Sequence, residues 1–114
     1  ELHPICIQLR ALDISENKFT SVPECIPQLC INLKILSLQN NQISSLPPEF
    51  CMLKKLEELY LCYNNLTEFP QINEMIHLSI LDISHNHLTE INEDHIPTEY
   101  CILEEIYISH NAIQ

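Results

Sequence analysis

The sequence contains six histidines and six cysteines, the side chains that most often bind a transition metal or act as base and nucleophile. Successive cysteines are 19, 5, 21, 11 and 39 residues apart, and no two of them form a CxxC pair. An even number of cysteines in a short chain also permits a disulfide framework. Because several cysteines fall at positions expected to face a core, we interpret them as free thiols in a reducing compartment.

Two arrangements of these side chains would be reactive if the fold assembled them. His85 and His110 would begin a zinc site if they lay on neighbouring strands, with Asp82 and Tyr107 as further ligands. Cys62 with His85 would combine a nucleophile with a base. Catalysis also requires a pocket that excludes water, whereas the repeats described below predict an open surface. We therefore assign no catalytic residue, no metal and no cofactor, and interpret the chain as a non-enzyme.

The overall composition excludes several classes of function. Glycine is absent, which removes the GxGxxG and GxxxxGK[ST] loops, because their backbone must approach phosphate without a Cβ atom. The formal net charge of −11 predicts repulsion from phosphate backbones and anionic lipids, so we expect neither nucleic acid nor a membrane as partner. No apolar run approaches the roughly 20 residues that span a bilayer. A length of 114 residues fits one domain.

One pattern occurs five times and predicts the elements that must position the reactive side chains. Each copy has apolar residues at its first, fourth and sixth positions, asparagine at its ninth and an apolar residue at its eleventh. Successive copies are offset by 24, 23, 22 and 25 residues. The copies start near Leu9, Leu33, Leu56, Leu78 and Leu103, and their asparagines are Asn17, Asn41, Asn64, Asn86 and Asn111.

The alternation within each copy predicts a short, half-buried strand. In the second copy, for example, Leu36 and Leu38 point to one side while Ile35 and Ser37 point to the other. The asparagine that follows can donate to and accept from the backbone of neighbouring turns, so stacked copies would form an asparagine ladder. One copy cannot bury its own leucines, whereas three or more form a continuous core. We therefore predict an α/β solenoid, with a curved parallel sheet on its concave face and short helices, 3₁₀ turns or loops on its convex face.

The pattern resembles the leucine-rich repeat family over essentially the whole chain. Three copies continue with an apolar residue and proline, at Val22-Pro23, Leu46-Pro47 and Phe69-Pro70. This is similar to the 23-residue class of intracellular Ras-binding and Scribble-type scaffold proteins. The fourth copy has Ile91-Asn92 instead and a longer turn, which predicts a different helix or an irregular loop there. Because neither end shows a capping repeat, we expect residues 1–114 to be a single repeat domain from a longer array.

The variable strand positions are predicted to form the accessible concave surface. Exposed aromatic side chains with carboxylates are typical of protein-recognition surfaces, although any one of them is also compatible with a merely solvated strand residue. His77 and His95 fall on the return segments and are expected at the surface. The predicted centre of the binding face is Glu58, Tyr60, Tyr63, Asp82, His85, Glu105, Tyr107 and His110.

We predict that the chain is a cytoplasmic protein-interaction module, a scaffold or a recognition segment of a signalling protein, which binds a basic protein partner through this acidic face. Three alternatives remain open. The repeats could be the regulatory domain of a multidomain enzyme, part of a receptor ectodomain, or a component of a cytoskeletal or ciliary assembly. The glycosylation sequon Asn65-Leu66-Thr67 would suit the ectodomain, but the repeat pattern itself produces this sequence.

Overall fold

The computed structural model describes residues 3–97 and 102–113 of the chain. Five three-residue strands alternate with return segments, of which two contain α-helices and two contain 3₁₀ helices. The strands are β1 (Ala11–Asp13), β2 (Ile35–Ser37), β3 (Glu58–Tyr60), β4 (Ile80–Asp82) and β5 (Glu105–Tyr107). The helices are α1 (His3–Gln8), α2 (Cys25–Leu29) and the 3₁₀ helices Pro48–Met52 and Glu93–His95.

The strands form one parallel sheet in the order β1-β2-β3-β4-β5. Each strand pairs with the next copy in the same register, so that Leu36 lies beside Leu59 and Leu59 beside Leu81. On the other side of the molecule, α1 packs against α2, and α2 packs against the 3₁₀ helix Pro48–Met52. This architecture confirms the predicted solenoid with a parallel sheet on one side and short helices on the other.

The core lies between the sheet and the return segments. The central strand residues Leu36, Leu59 and Leu81 are completely buried, while their neighbours along each strand are only partly covered. Val22 and Phe69, which precede prolines in the return segments, are buried in the same core from the side opposite the sheet. Period-two alternation therefore predicts the burial of the sheet, because one face of each strand packs inward and the other faces solvent.

Four of the five repeat asparagines join neighbouring repeats through the backbone, whereas the exposed Asn17 donates only to the carbonyls of Ile14 and Ser15 in its own repeat, because no described repeat precedes it. The amide nitrogen of Asn64 donates to the carbonyls of Leu61 and Cys62 in its own repeat and of Leu38 in the preceding one, at 3.0 to 3.3 Å. Its amide oxygen accepts from the backbone N–H of Ile43 at 3.0 Å. The same four kinds of bond are made by Asn41, Asn86 and Asn111. Without such bonds, buried backbone groups would be unpaired at the bend after each strand, at about 1–3 kcal/mol per group.

The fourth return segment is organised around a histidine. The side chain of Asn92 accepts from the backbone N–H of Asp94 and begins the 3₁₀ helix Glu93–His95. His95 Nδ1 lies 2.7 Å from the carbonyl oxygen of Phe69, which can only accept, so Nδ1 donates and Nε2 accepts from the Asn92 amide at 3.2 Å. His95 is therefore half-buried between two repeats rather than a simple surface residue, whereas His77 is exposed as predicted.

Candidate functional site

The sheet register places the variable strand residues in columns across the solvent-exposed face, which we call the sheet face. The first column is Ala11, Ile35, Glu58, Ile80 and Glu105, and the second is Asp13, Ser37, Tyr60, Asp82 and Tyr107. In β3 to β5 the two columns alternate in character. The first reads acid, isoleucine, acid, while the second reads tyrosine, acid, tyrosine.

Two Glu–Tyr pairs recur on alternate strands of the sheet face. The hydroxyl of Tyr60 donates to Glu58 Oε1 at 2.6 Å, and that of Tyr107 donates to Glu105 Oε1 at 2.7 Å. The bond to Glu58, partial burial and the nearby carboxylates raise the pKa of Tyr60 to about 12. The bond to Glu105 likewise raises the pKa of Tyr107. Each pair therefore presents a carboxylate beside the ring of a protonated tyrosine.

The aspartates of the second column are held in a different way. Asp82 Oδ1 accepts from both the hydroxyl and the backbone N–H of Ser84, at 2.7 and 3.1 Å. Asp13 Oδ1 is bound identically by Ser15, and this hydrogen bonding lowers the pKa of Asp13. Because the N–H and O–H bonds favour the ionised form, the Asp-x-Ser sequence presents an oriented carboxylate. Asp82 lies between the two Glu–Tyr pairs in the sheet.

A further column lies just beyond the strands, where the backbone turns. Its five residues all have left-handed backbone conformations, with φ between 54° and 59°, although none is glycine. This conformation is costly for most residues, and here it recurs because the backbone N–H of each of the first four donates to the next repeat. The column consists of Glu16, Asn40, Tyr63, His85 and His110.

Three rings of this column form a continuous stack. The ring of His85 lies between those of Tyr63 and His110, with centroids 4.1 Å apart on each side and interplanar angles of 10° and 14°. Tyr63 is about half exposed, so the stack borders the sheet face as an accessible aromatic wall. The face-to-face arrangement is not that of two metal ligands, which would direct ring nitrogens to a common point. Within residues 3–97 and 102–113, no three His, Cys, Asp or Glu side chains are placed to hold a metal ion.

The geometry also disfavours Cys62 as a nucleophile. The Cys62 side chain is buried, and burial together with the nearby Asp82 raises its pKa to about 11. The reactive form of cysteine is the thiolate, so a raised pKa leaves little nucleophile near neutral pH. The thiol sulfur lies 3.8 Å from Gln39 Oε1. The pairing of Cys62 with His85 therefore does not form an activated cysteine.

Charge is distributed very unevenly along the solenoid. All five lysines and arginines fall within residues 1–55, where five acidic residues balance them. Residues 56–114 contain eleven acidic residues and no lysine or arginine. Lys34 pairs with Glu57 at 3.9 Å and Lys54 with Glu74 at 3.6 Å, and both pairs lie outside the two columns of the sheet face. The field around the carboxylates of β3 to β5 is consequently predominantly negative.

A family model described as leucine rich repeat matches residues 31–88, about half of the chain. The chain belongs to the leucine-rich repeat family. A second leucine-rich repeat model, of two copies, matches residues 7–50. Mouse podocan-like protein 1 is 38% identical over 109 residues, which are 92% of this chain and 18% of that protein. A solved leucine-rich repeat protein of Leptospira interrogans superposes with a TM-score of 0.83 at 31% identity, over 92% of this chain and 26% of that one.

These leucine-rich repeats therefore span less than a third of the length of either relative. The family is in general a protein-interaction family, and the two matching models describe repeats rather than a catalytic domain. In the described part of the chain, every helix is too short or too polar to cross a membrane.

All eight sequence-predicted site residues lie in repeats three to five. Four form the Glu–Tyr pairs, three form the ring stack, and Asp82 lies in the column between the pairs. The segregation of charge was not predicted, although the positions of the lysines and arginines signal it directly. The left-handed backbone conformation of the column that contains the ring stack was not predicted either, because no glycine there signals it.

Proposed function

We propose that this leucine-rich repeat domain is a binding module that holds a basic protein partner against the sheet face of β3 to β5. The observation that carries the proposal is the coincidence of two features in residues 56–114. Oriented carboxylates and accessible aromatic rings occupy the same three repeats, and residues 56–114 contain no lysine or arginine. Aromatic side chains supply contact area in protein interfaces, while charge of one sign guides association and selects partners of the opposite sign.

The proposed role is recognition rather than catalysis, as a scaffold or as part of a signalling protein. The raised pKa of the buried Cys62 supports this role because the candidate nucleophile is protonated, and the open sheet face supports it because catalysis requires a pocket that excludes water. The proposed partner is a protein rather than nucleic acid or a membrane surface, since both of those are anionic.

The test compares two double charge reversals in the same domain. Glu58→Lys with Glu105→Lys alters the sheet face, while Glu68→Lys with Glu90→Lys makes the same charge change at exposed positions outside its columns. Each immobilised domain is incubated with a cell extract at several salt concentrations, and the retained proteins are quantified. We expect basic proteins held by the native domain and the control to be lost from the sheet-face variant. Equal retention by both variants at every salt concentration would contradict the proposal.

We also propose that the domain is intracellular and of the 23-residue class. The repeat offsets and the proline-initiated return segments support this class. The cysteines Cys6, Cys25, Cys30, Cys51 and Cys62 are not joined by disulfides in the structure, which supports a reducing compartment, while Cys101 lies outside the described residues. Burial beside Cys6 raises the pKa of Cys30 to about 12.

Intact mass of the natural protein, with thiols alkylated before and after reduction, tests this location. Six alkylated thiols and no glycan are expected. A disulfide, or a glycan on the exposed Asn65, would instead place the domain outside the cell. Membership of a longer array stays a prediction, and the same mass measurement tests it.

A further inference from the structure

We infer that the sheet face of β3 to β5 binds an extended arginine-containing segment in which two arginines are three residues apart in polyproline II conformation. This inference rests on the proposed function and names the chemistry of the bound segment. The segment crosses the strands along the first column, with one arginine at each Glu–Tyr pair. The intervening residues lie above Ile80.

The size of the surface favours a peptide segment over a large globular partner. Three parallel strands span about 10 Å between the first and the last, at about 4.8 Å per strand. A standard protein–protein interface buries about 800 Å² on each partner, which is several times the area over these three strands. A single extended segment, in contrast, fits a surface of this width.

The spacing of the two Glu–Tyr pairs selects the conformation of the segment. Glu58 and Glu105 occupy the same register position on β3 and β5, so they are two strand spacings apart, about 9.4–9.8 Å. One turn of polyproline II is three residues long and rises about 9.3 Å, so side chains three residues apart lie on the same side. In a β-strand, side chains on one side recur every two residues at about 6.6–6.8 Å, which does not match the pairs.

The chemistry of each pair selects arginine. Tyr60 and Tyr107 occupy one carboxylate oxygen of their glutamates, and Oε2 of Glu58 and of Glu105 receives no hydrogen bond from the described residues. Each tyrosine lies two residues after its glutamate on the same strand, and the hydroxyl bond to Oε1 holds the tyrosine side chain against the carboxylate. A planar guanidinium can donate to the open oxygen while it stacks on the ring, whereas the compact ammonium of lysine satisfies only the charge.

The residues of β4, which lie between the two Glu–Tyr pairs, also suit the proposed segment. Ile80 lies between Glu58 and Glu105 in the first column and is half-buried, so it offers apolar contact at the centre. Proline at the two middle positions of the segment would favour polyproline II before binding, and the backbone between the two arginines would then lie over this isoleucine. Asp82, oriented by Ser84, adds a third carboxylate between the two arginines.

Fluorescence polarisation with three labelled peptides tests the inference. The first has an Arg-Pro-Pro-Arg core, the second has the same residues as Arg-Pro-Arg-Pro, and the third is Lys-Pro-Pro-Lys. We expect the first to bind about fivefold or more tightly than either of the others. Glu58→Gln with Glu105→Gln should weaken its binding about tenfold, because both charge-assisted bonds are lost. Glu68→Gln with Glu90→Gln, which changes net charge equally, should leave binding within about twofold.

The outcomes separate this inference from the function on which it rests. Equal binding of the two arginine peptides would overturn the three-residue spacing, even if the sheet-face charge reversal still abolished retention of basic proteins. Equal binding of the arginine and lysine peptides would overturn the guanidinium contact. If no peptide bound and charge reversal also had no effect on retained proteins, both the inference and the proposed function would fail.

Discussion

Repeats one and two have the same buried framework as repeats three to five, but the two parts differ in the charge of their surfaces. Leu36 in β2 and Leu59 in β3 are equally buried, and Asn41 and Asn64 make the same set of backbone bonds. Yet residues 1–55 are electrically balanced, whereas residues 56–114 carry eleven acidic residues without a lysine or arginine. Stacking therefore constrains the inward and ladder positions, while the outward positions are free to vary.

The aromatic side chains follow the same division. The Glu–Tyr pairs and the ring stack all belong to repeats three to five. At the corresponding register positions of β1 and β2, the sheet face has Ala11, Asp13, Ile35 and Ser37. A shared scaffold with one specialised end is what a modular repeat protein permits, because each repeat contacts only its neighbours.

The largest expected effect tests whether repeats one and two share one hydrophobic core with repeats three to five. Leu38→Ala and Leu61→Ala each remove a completely buried side chain at the same position of successive repeats. Each should lower the free energy of unfolding by about 2–5 kcal/mol, through lost burial and a residual cavity. Ile108→Ala, at the half-buried equivalent position beside the edge strand β5, should cost less. Urea denaturation measures all three, and a neutral Leu38→Ala would show that the two parts do not share one core.

A second, smaller effect concerns the reactivity of Cys62, which lies in the acidic part of the chain, residues 56–114. Burial and Asp82 raise the pKa of Cys62 to about 11 from the ordinary value of 9.0, so its thiolate population at pH 8 falls on the order of 100-fold. Iodoacetamide labelling followed by peptide mass spectrometry should therefore modify Cys62 far more slowly than the partly exposed Cys51. Labelling should accelerate as pH rises toward 11, and Asp82→Asn should accelerate it at pH 8. Equal rates for the two cysteines in the native protein would refute this assignment.

The smallest expected effect tests the difference in net charge between residues 1–55 and residues 56–114. The same type of substitution, glutamine to lysine, is made once in each part. Gln71→Lys adds a positive charge to the acidic part, and Gln28→Lys adds one to the balanced part, both at exposed positions. At low salt Gln71→Lys should raise the melting temperature by about 1–4 °C, because it relieves repulsion among carboxylates. Gln28→Lys should change it less, and 1 M salt should remove the difference. A thermal melt followed by circular dichroism distinguishes the two, and identical shifts would argue against the charge asymmetry.

The repeat pattern alone predicted most of the fold. Five copies with the same apolar positions specified the parallel order, the one-copy register and the buried leucines, because only stacking buries all of them together. It did not predict how the fourth return segment is held. The bonds of His95 to Phe69 and Asn92 bridge 26 and three residues, and no local pattern marks the longer contact.

The sequence by itself determined which residues face the core, which asparagines follow the strands and where the charges lie along the chain. Only the tertiary structure decided what those charges and rings do. The contacts within the Tyr63–His85–His110 stack join residues from successive repeats, so they exist only after the repeats are in register. Likewise, Glu58 and Glu105 become a spaced pair only because β4 lies between their strands. Periodic burial is a local property of the chain, whereas a recognition surface is a property of neighbours that are distant in sequence.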